Sequence, residues 1–140
     1  MIAPVEIVQG ESPLVLGLPH TGTYVPPQIE AALNARGRAL EDTDWHIHRL
    51  YDGLLPDMSW VRATFHRYVI DANRDPSGVS LYPGQNTTGL APLTNFDGLG
   101  IWNPEPDAAE VEARREAFHA PYHAALAAEL NRVKALHGFA

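Results

Sequence analysis

Two short apolar runs limit what this chain can fold into. Leu14-Val15-Leu16-Gly17-Leu18 follows Ser12-Pro13 and reads as a buried strand. Trp60 to Phe65 and Tyr68 to Ile70 read as strand too, either one bent strand or two joined near His66. Helical patterns lie between the two runs. Pro26-Pro27 opens a predicted helix through Arg36, with Ile29, Ala32, Leu33 and Arg36 at helical spacing and Gly37 as its stop. Asp42 and Thr43 offer N-caps for a second helix from Asp44 to about Leu55, striped by Ile47, Leu50, Tyr51 and Leu54. Strands alternating with helices predict an α/β chain.

From Asp107 the composition shifts to Ala, Glu and Arg, and a long helix is predicted. Phe118, Tyr122, Leu126, Leu130 and Val133 give it one continuous buried face. Pro121 should kink or break it, because proline lacks an N–H and its ring crowds the preceding turn. Gly138 reads as the stop, and Phe139-Ala140 as the first step of another strand. Two or three strands are few for a doubly wound sheet, so the expectation is the front half of an α/β enzyme, cut short. The stretch from Pro76 to Pro106 is rich in Gly, Pro, Asn and Thr but interspersed with Leu, Tyr, Phe96 and Trp102. It is expected to be a packed, ordered loop.

Composition narrows the chemistry. At 140 residues with 45% hydrophobic and 19% charged residues, the chain is expected to form one domain over residues 1–140 with a real core. A formal net charge of −7 argues against a nucleic-acid surface. With no cysteine, a metal would have to be held by His, Asp or Glu. Met1 to Gly10 carries no basic n-region and no apolar run is long enough to span a bilayer, so no membrane association and a cytoplasmic location are expected. Nothing in the composition speaks to oligomeric state.

The polar residues gather where the strands should end, which in open α/β sheets is where ligands bind. Arg67-Tyr68-Val69-Ile70-Asp71-Ala72-Asn73-Arg74 runs from a buried strand into an acid, an amide and an arginine. Its guanidinium groups suit an anion or a developing oxyanion, or else close a salt-bridged surface turn. His20, in Pro19-His20-Thr21-Gly22, faces a crevice or bonds a neighbouring carbonyl, and its position at a strand exit favours the crevice. For Asp44 alone, complementing a helix dipole is the plainer account. His46 and His48, two apart, make poor joint ligands. His119 and His123, four apart, have the spacing to grip a metal, but lack an intervening glutamate and border a packing face.

Taken together, Pro19-His20-Thr21-Gly22, Asp42-Thr43-Asp44-Trp45, Leu50-Tyr51-Asp52, Arg67 to Arg74, Leu81-Tyr82-Pro83-Gly84-Gln85, Thr94-Asn95-Phe96-Asp97-Gly98 and Pro121-Tyr122-His123 closely resemble, in this order, the N-formylglutamate amidohydrolases. The resemblance runs from about Ser12 to Gly138 and covers the amino-terminal half of that family's catalytic domain. It implies a three-layer α/β/α fold similar to the zinc carboxypeptidases (phosphorylase/hydrolase-like), and zinc-assisted hydrolysis of N-formyl-L-glutamate to formate and L-glutamate. The implied partner is a small N-acyl amino acid. His20 and Asp44 would be metal ligands, Arg67 the catalytic group that polarises the scissile carbonyl, and Asn73 and Arg74 the pair that binds a substrate carboxylate. The third ligand, a histidine, and the acidic general base would belong to the other half. A different zinc N-acyl amino acid deacylase or carboxypeptidase-like hydrolase, and a non-catalytic carboxylate-binding protein, are the alternatives.

Overall fold

The strand signals hold at Val15–Leu18 and Ser59–Ala63, and a third strand forms at Val5–Val8, which the sequence reading passed over. Numbered in chain order, Val5–Val8 is β1, Val15–Leu18 is β2 and Ser59–Ala63 is β3, and they make one sheet in the order β1-β3-β2. β3 is the central strand, antiparallel to β1 and parallel to β2. Its alternation explains the placement: Ser59, Val61 and Ala63 are buried while Trp60 and Arg62 are half-buried. Opposite Arg62 in the β1 register stands Glu6, and the two form an ion pair at 3.1 Å. This computed structural model describes residues 2–77 and 89–140; the Leu81–Gln85 motif lies outside the described residues.

The long carboxyl-terminal helix is present, in three pieces. Ala108–Arg114 (α4) is capped by the Asp107 side chain accepting from Glu110 N–H. A π-turn at Arg115–His119 follows, and Ala120–His137 (α5) ends at Gly138, whose φ of 81° only glycine adopts without strain. The interruption expected from Pro121 is thus a π-turn just ahead of it. α5 packs across all three strands. Phe118, Tyr122 and Val133 are buried as the periodicity predicts, but Leu130 is 40% exposed. Phe139 is exposed and begins no strand.

Three expectations need correction. The helix predicted from Pro26 to Arg36 is two short ones, α1 at Pro27–Glu30 and α2 at Ala35–Arg38. Asn34 restarts the chain, its side chain capping Gly37 N–H, while Leu33 pairs with Trp102 in an isolated bridge. The helix predicted from Asp44 to Leu55 shrinks to Ile47–Tyr51 (numbered α3 in chain order), and its stripe is not a core face: Leu50 and Leu54 are exposed. Tyr68–Ile70 is fully buried but is no strand; Val69 N–H turns back to His66 O, so the segment is a turn inside the core. The described part of the long loop is packed, with Asn95, Ile101 and Trp102 buried and Trp102 Nε1 donating to Pro92 O at 2.7 Å. Among the described residues, no helix is long and apolar enough to cross a membrane.

The β2–β3 pairing does not stop at Leu18. Tyr24 bridges Phe65 in parallel, with Tyr24 N–H donating to Thr64 O and His66 N–H to Tyr24 O. His20, Thr21 and Gly22 therefore leave the ladder and rejoin it. A Cβ on Gly22 would lie 2.4 Å from Phe65 O and 2.5 Å from Thr64 O, inside van der Waals contact. Only glycine fits where the loop re-enters.

Candidate active site

Asp71 is the centre of the polar cluster, a role the sequence reading did not give it. It has no exposed surface. One carboxylate oxygen accepts from His20 Nε2 at 2.6 Å and from Asn73 N–H at 2.9 Å, and the other from Arg67 Nη2 at 3.1 Å. Burial opposes its ionisation, but the His20 hydrogen bond and charge, the Arg67 charge and the Asn73 N–H outweigh it, and its pKa lies at about 2. Asp71 is therefore a carboxylate at neutral pH, and His20 Nε2 is the donor. In the neutral ring this places the proton on Nε2 and leaves a lone pair on Nδ1. A signal was there to read, since Arg67 and Asp71 stand four apart in the chain, the spacing of a local ion pair.

Nδ1 of His20 is 3.8 Å from Asp44 Oδ2. Asp44 lies ahead of α3 rather than in its first turn, and its N–H donates to His20 O at 3.0 Å. The backbone thus joins these two residues and brings their side chains near each other, although 42–44 and 19–22 belong to separate loops. The Asp44 side chain is half exposed and that of His20 is 10% exposed, so the gap between them opens toward solvent.

Arg67 is 4% exposed. Besides Asp71 it donates to Asp42 O at 3.4 Å, and its guanidinium carbon lies 4.9 Å from the Phe96 ring centroid. Its Nε is buried without a hydrogen-bond partner among the described residues. Asp42 in turn accepts from Tyr68 OH at 2.6 Å and from Phe96 N–H at 3.2 Å, while Asn95 Nδ2 donates to Glu41 Oε2. Burial and the Asp42 carboxylate raise the Tyr68 hydroxyl above its ordinary range, so it stays a donor. Three motifs well separated in sequence therefore meet: 41–44, 67–71 and 94–98.

Asn73 and Arg74 continue the same turn, Arg74 N–H donating to Asp71 O at 3.2 Å. The Asn73 side chain is exposed, and Arg74 is half-buried with Nη1 on Asn73 O. Because 67–74 is a turn and not a strand, side-chain alternation says nothing about which arginine faces the cluster. His119 and His123 each bond a main-chain carbonyl, and His46, just ahead of α3, is left-handed with a φ of 60°. Among the described residues, no group of three or more His, Cys, Asp or Glu is arranged to hold a metal ion. A cleft of about 570 Å³ is lined by Glu6, Tyr24, Arg38, Arg62 and Thr64 and by none of this cluster. The short polar contacts, and not that cleft, define the candidate site.

A buried histidine–carboxylate–arginine cluster at the exits of neighbouring strands puts the chain among the α/β proteins that build their sites there. Comparison with known proteins narrows this further. The family model for N-formylglutamate amidohydrolase matches residues 12–140, and the chain belongs to that family. It is 42% identical over 135 residues to an N-formylglutamate deformylase of Pseudomonas aeruginosa, and 38% identical over 136 residues to one of Pseudomonas putida. Each match covers 94% of this chain, and the chain spans about half the length of these curated relatives, 50% in both cases. The crystal structure of an N-formylglutamate amidohydrolase from Ralstonia eutropha JMP134 superposes with a TM-score of 0.75 at 32% identity, covering 98% of this chain and 54% of that one. A crystal structure from Agrobacterium tumefaciens, at 20% identity and a TM-score of 0.70, shares the fold.

Proposed function

We propose that this chain supplies the amino-terminal part of an enzyme that hydrolyses N-formyl-L-glutamate to formate and L-glutamate. In that reaction water oxygen adds to the formyl carbon, the C–N bond breaks, and the departing amine takes a proton. The names of the relatives support the substrate. The observation that carries the site is the His20–Asp71 bond, because it turns the Nδ1 lone pair toward Asp44.

The donor pair fits a divalent zinc ion. Two ligands about 2.1 Å from zinc at a tetrahedral angle lie roughly 3.4 Å apart, and the Nδ1 to Oδ2 gap is 3.8 Å. His20 and Asp44 would hold the ion, with a third ligand and the general base supplied from outside the described residues. Bound there, zinc supplies Lewis acidity and a water acidified to a pKa of about 7. Asp71 orients the His20 ring and raises its basicity. Arg67 offers a cation to the oxyanion of the tetrahedral intermediate, an effect worth about 3 kcal/mol in comparable sites. Asn73 and Arg74 hold a substrate carboxylate through an amide and a planar fork. A three-layer zinc-carboxypeptidase-like architecture for the complete catalytic domain belongs to the same reading.

A chimera joining residues 1–140 to the remaining half of the Pseudomonas aeruginosa relative tests it. Formate release from N-formyl-L-glutamate is expected, with little from N-acetyl-L-glutamate, and loss of both zinc and activity in His20→Ala. The unjoined chain should bind zinc weakly in isothermal titration. Nanomolar zinc affinity that survives His20→Ala and disappears with His119→Ala would overturn the assignment of ligands.

A further inference from the structure

Three side chains of the Ala108–His137 segment end on main-chain carbonyls of the turn that carries the site. Arg114 Nη1 donates to Val69 O at 3.2 Å, His123 Nε2 to Ala72 O at 2.7 Å and His119 Nε2 to Arg74 O at 2.9 Å. A carbonyl only accepts, so each imidazole carries its proton on Nε2. Arg114 and His119 are 3% and 2% exposed. Arg114 is fixed further by Glu110 and by the Trp102 ring 4.7 Å away, and the two imidazole centroids lie 4.5 Å apart.

The π-turn is what puts these donors in one row. In a regular α-helix, at about 100° per residue, positions five apart point roughly 140° away from each other. Arg114 and His119 would then face different neighbours. Between them lies Arg115–His119, closed by Ala120 N–H on Arg115 O, a five-residue hydrogen bond that stacks residues five apart. His123 follows His119 at the ordinary spacing of four. Pro121 makes this register favourable, since its ring would crowd the carbonyl of Ala117 in an unbroken α-helix.

We propose that His119 and His123, seconded by Arg114, are positioning residues that fix the two peptide planes bracketing the Asn73–Arg74 pair and so present Asn73 and Arg74 to a substrate carboxylate. The proposal rests on the reading of Asn73 and Arg74 given above. The bonded carbonyls belong to residues 72 and 74, one on each side of Asn73, while Asn73 N–H is held by Asp71 from the other direction. The turn is held from two sides.

The test uses the isotopically labelled 140-residue chain, N-formyl-L-glutamate as probe, and nuclear magnetic resonance. Both rings should show the Nε2–H tautomer, and the probe should shift the Asn73 and Arg74 signals saturably. His123→Ala should displace the Ala72 to Arg74 carbonyl and amide signals and weaken binding by roughly tenfold or more, as small misplacements of a positioning group do. His123→Gln, whose amide N–H reaches where Nε2 does, should restore most of the affinity, which a merely space-filling role would not predict. His119→Gln serves the same purpose should His119→Ala fail to fold. Alanine variants that keep both the wild-type signals of residues 72–74 and the wild-type affinity overturn the proposal. A wild-type chain that does not bind the probe overturns the carboxylate reading and the purpose assigned to the histidines, while the signals of 72–74 still decide whether they hold the turn.

Discussion

His66 should make this fold acid-sensitive, and the size of the effect can be worked out. The ring has no exposed surface; Nδ1 accepts Tyr68 N–H at 3.0 Å, which puts the proton on Nε2, and Nε2 has no hydrogen-bond partner among the described residues. Burial first, then the charges of Arg67 and His20, push its pKa from 6.5 to about 3, against an opposing pull from Asp71. The folded state holds the neutral ring and the unfolded state takes up the proton, so stability is complete above pH 6.5 and falls as pH drops toward 3. Each pH unit in that window costs about 1.4 kcal/mol. At about pH 5 the loss is about 2 kcal/mol, or roughly 6–10 °C in melting temperature for a chain of this length. His66→Asn keeps an acceptor near the Nδ1 position but loses volume, so it should be less stable than wild type at pH 7. It cannot titrate, and the gap between the two should narrow by about 2 kcal/mol on going to pH 5. Thermal denaturation followed by circular dichroism at both pH values measures this. Parallel pH profiles for wild type and His66→Asn would refute the buried neutral histidine.

Three further outcomes are expected. Asp71→Asn should weaken zinc binding by about 10–100-fold in isothermal titration, the range typical of a lost carboxylate behind a ligating histidine, and unchanged affinity would remove Asp71 from that role. In the chimera, Arg67→Ala should lower kcat with KM nearly constant, whereas Arg74→Lys should raise KM, because lysine keeps the charge and loses the fork; initial-rate kinetics separate the two. Glu129, held below its ordinary carboxylate range by Arg132, contributes stability above pH 4.5 that is lost as pH falls, so Glu129→Gln should lower the urea midpoint at pH 7 more than at pH 3.

What the sequence disclosed follows from where each signal comes from. Leu14–Leu18 was legible as a short apolar run after Ser12-Pro13, and Trp60–Phe65 because β-branched and aromatic residues alternate there with Arg62 and Thr64. Val5–Val8 was not, since an edge strand with most of its residues exposed carries a weak pattern. Tyr68–Ile70 misled because burial and strand propensity coincide there, yet the backbone bonds run to a turn and to Arg114. Leu50 and Leu54 show helical spacing without a core to face, so periodicity alone overran the end of α3. In the site, His20 stood out by its place at a strand exit, whereas Asp44 was visible only as part of a family motif, because loop hydrogen bonds bring the two together and no fixed spacing announces those. Asp71 was overlooked because His20, 51 residues away, reaches it only in the folded chain, and the local Arg67 spacing alone does not single out a site.

The re-entry at Gly22 puts the site's tolerance in an unexpected place. The distance between the two strand exits there is that of a hydrogen atom packed against the Thr64 and Phe65 carbonyls. A single added methyl must push the exits apart, and His20, two residues upstream, rides on one of them while His66 to Asp71 follow from the other. The His20–Asp71 bond spans that seam. A position on which the site's geometry hangs is thus one with no functional group at all, and a scan that ranked positions by their chemistry would pass over it.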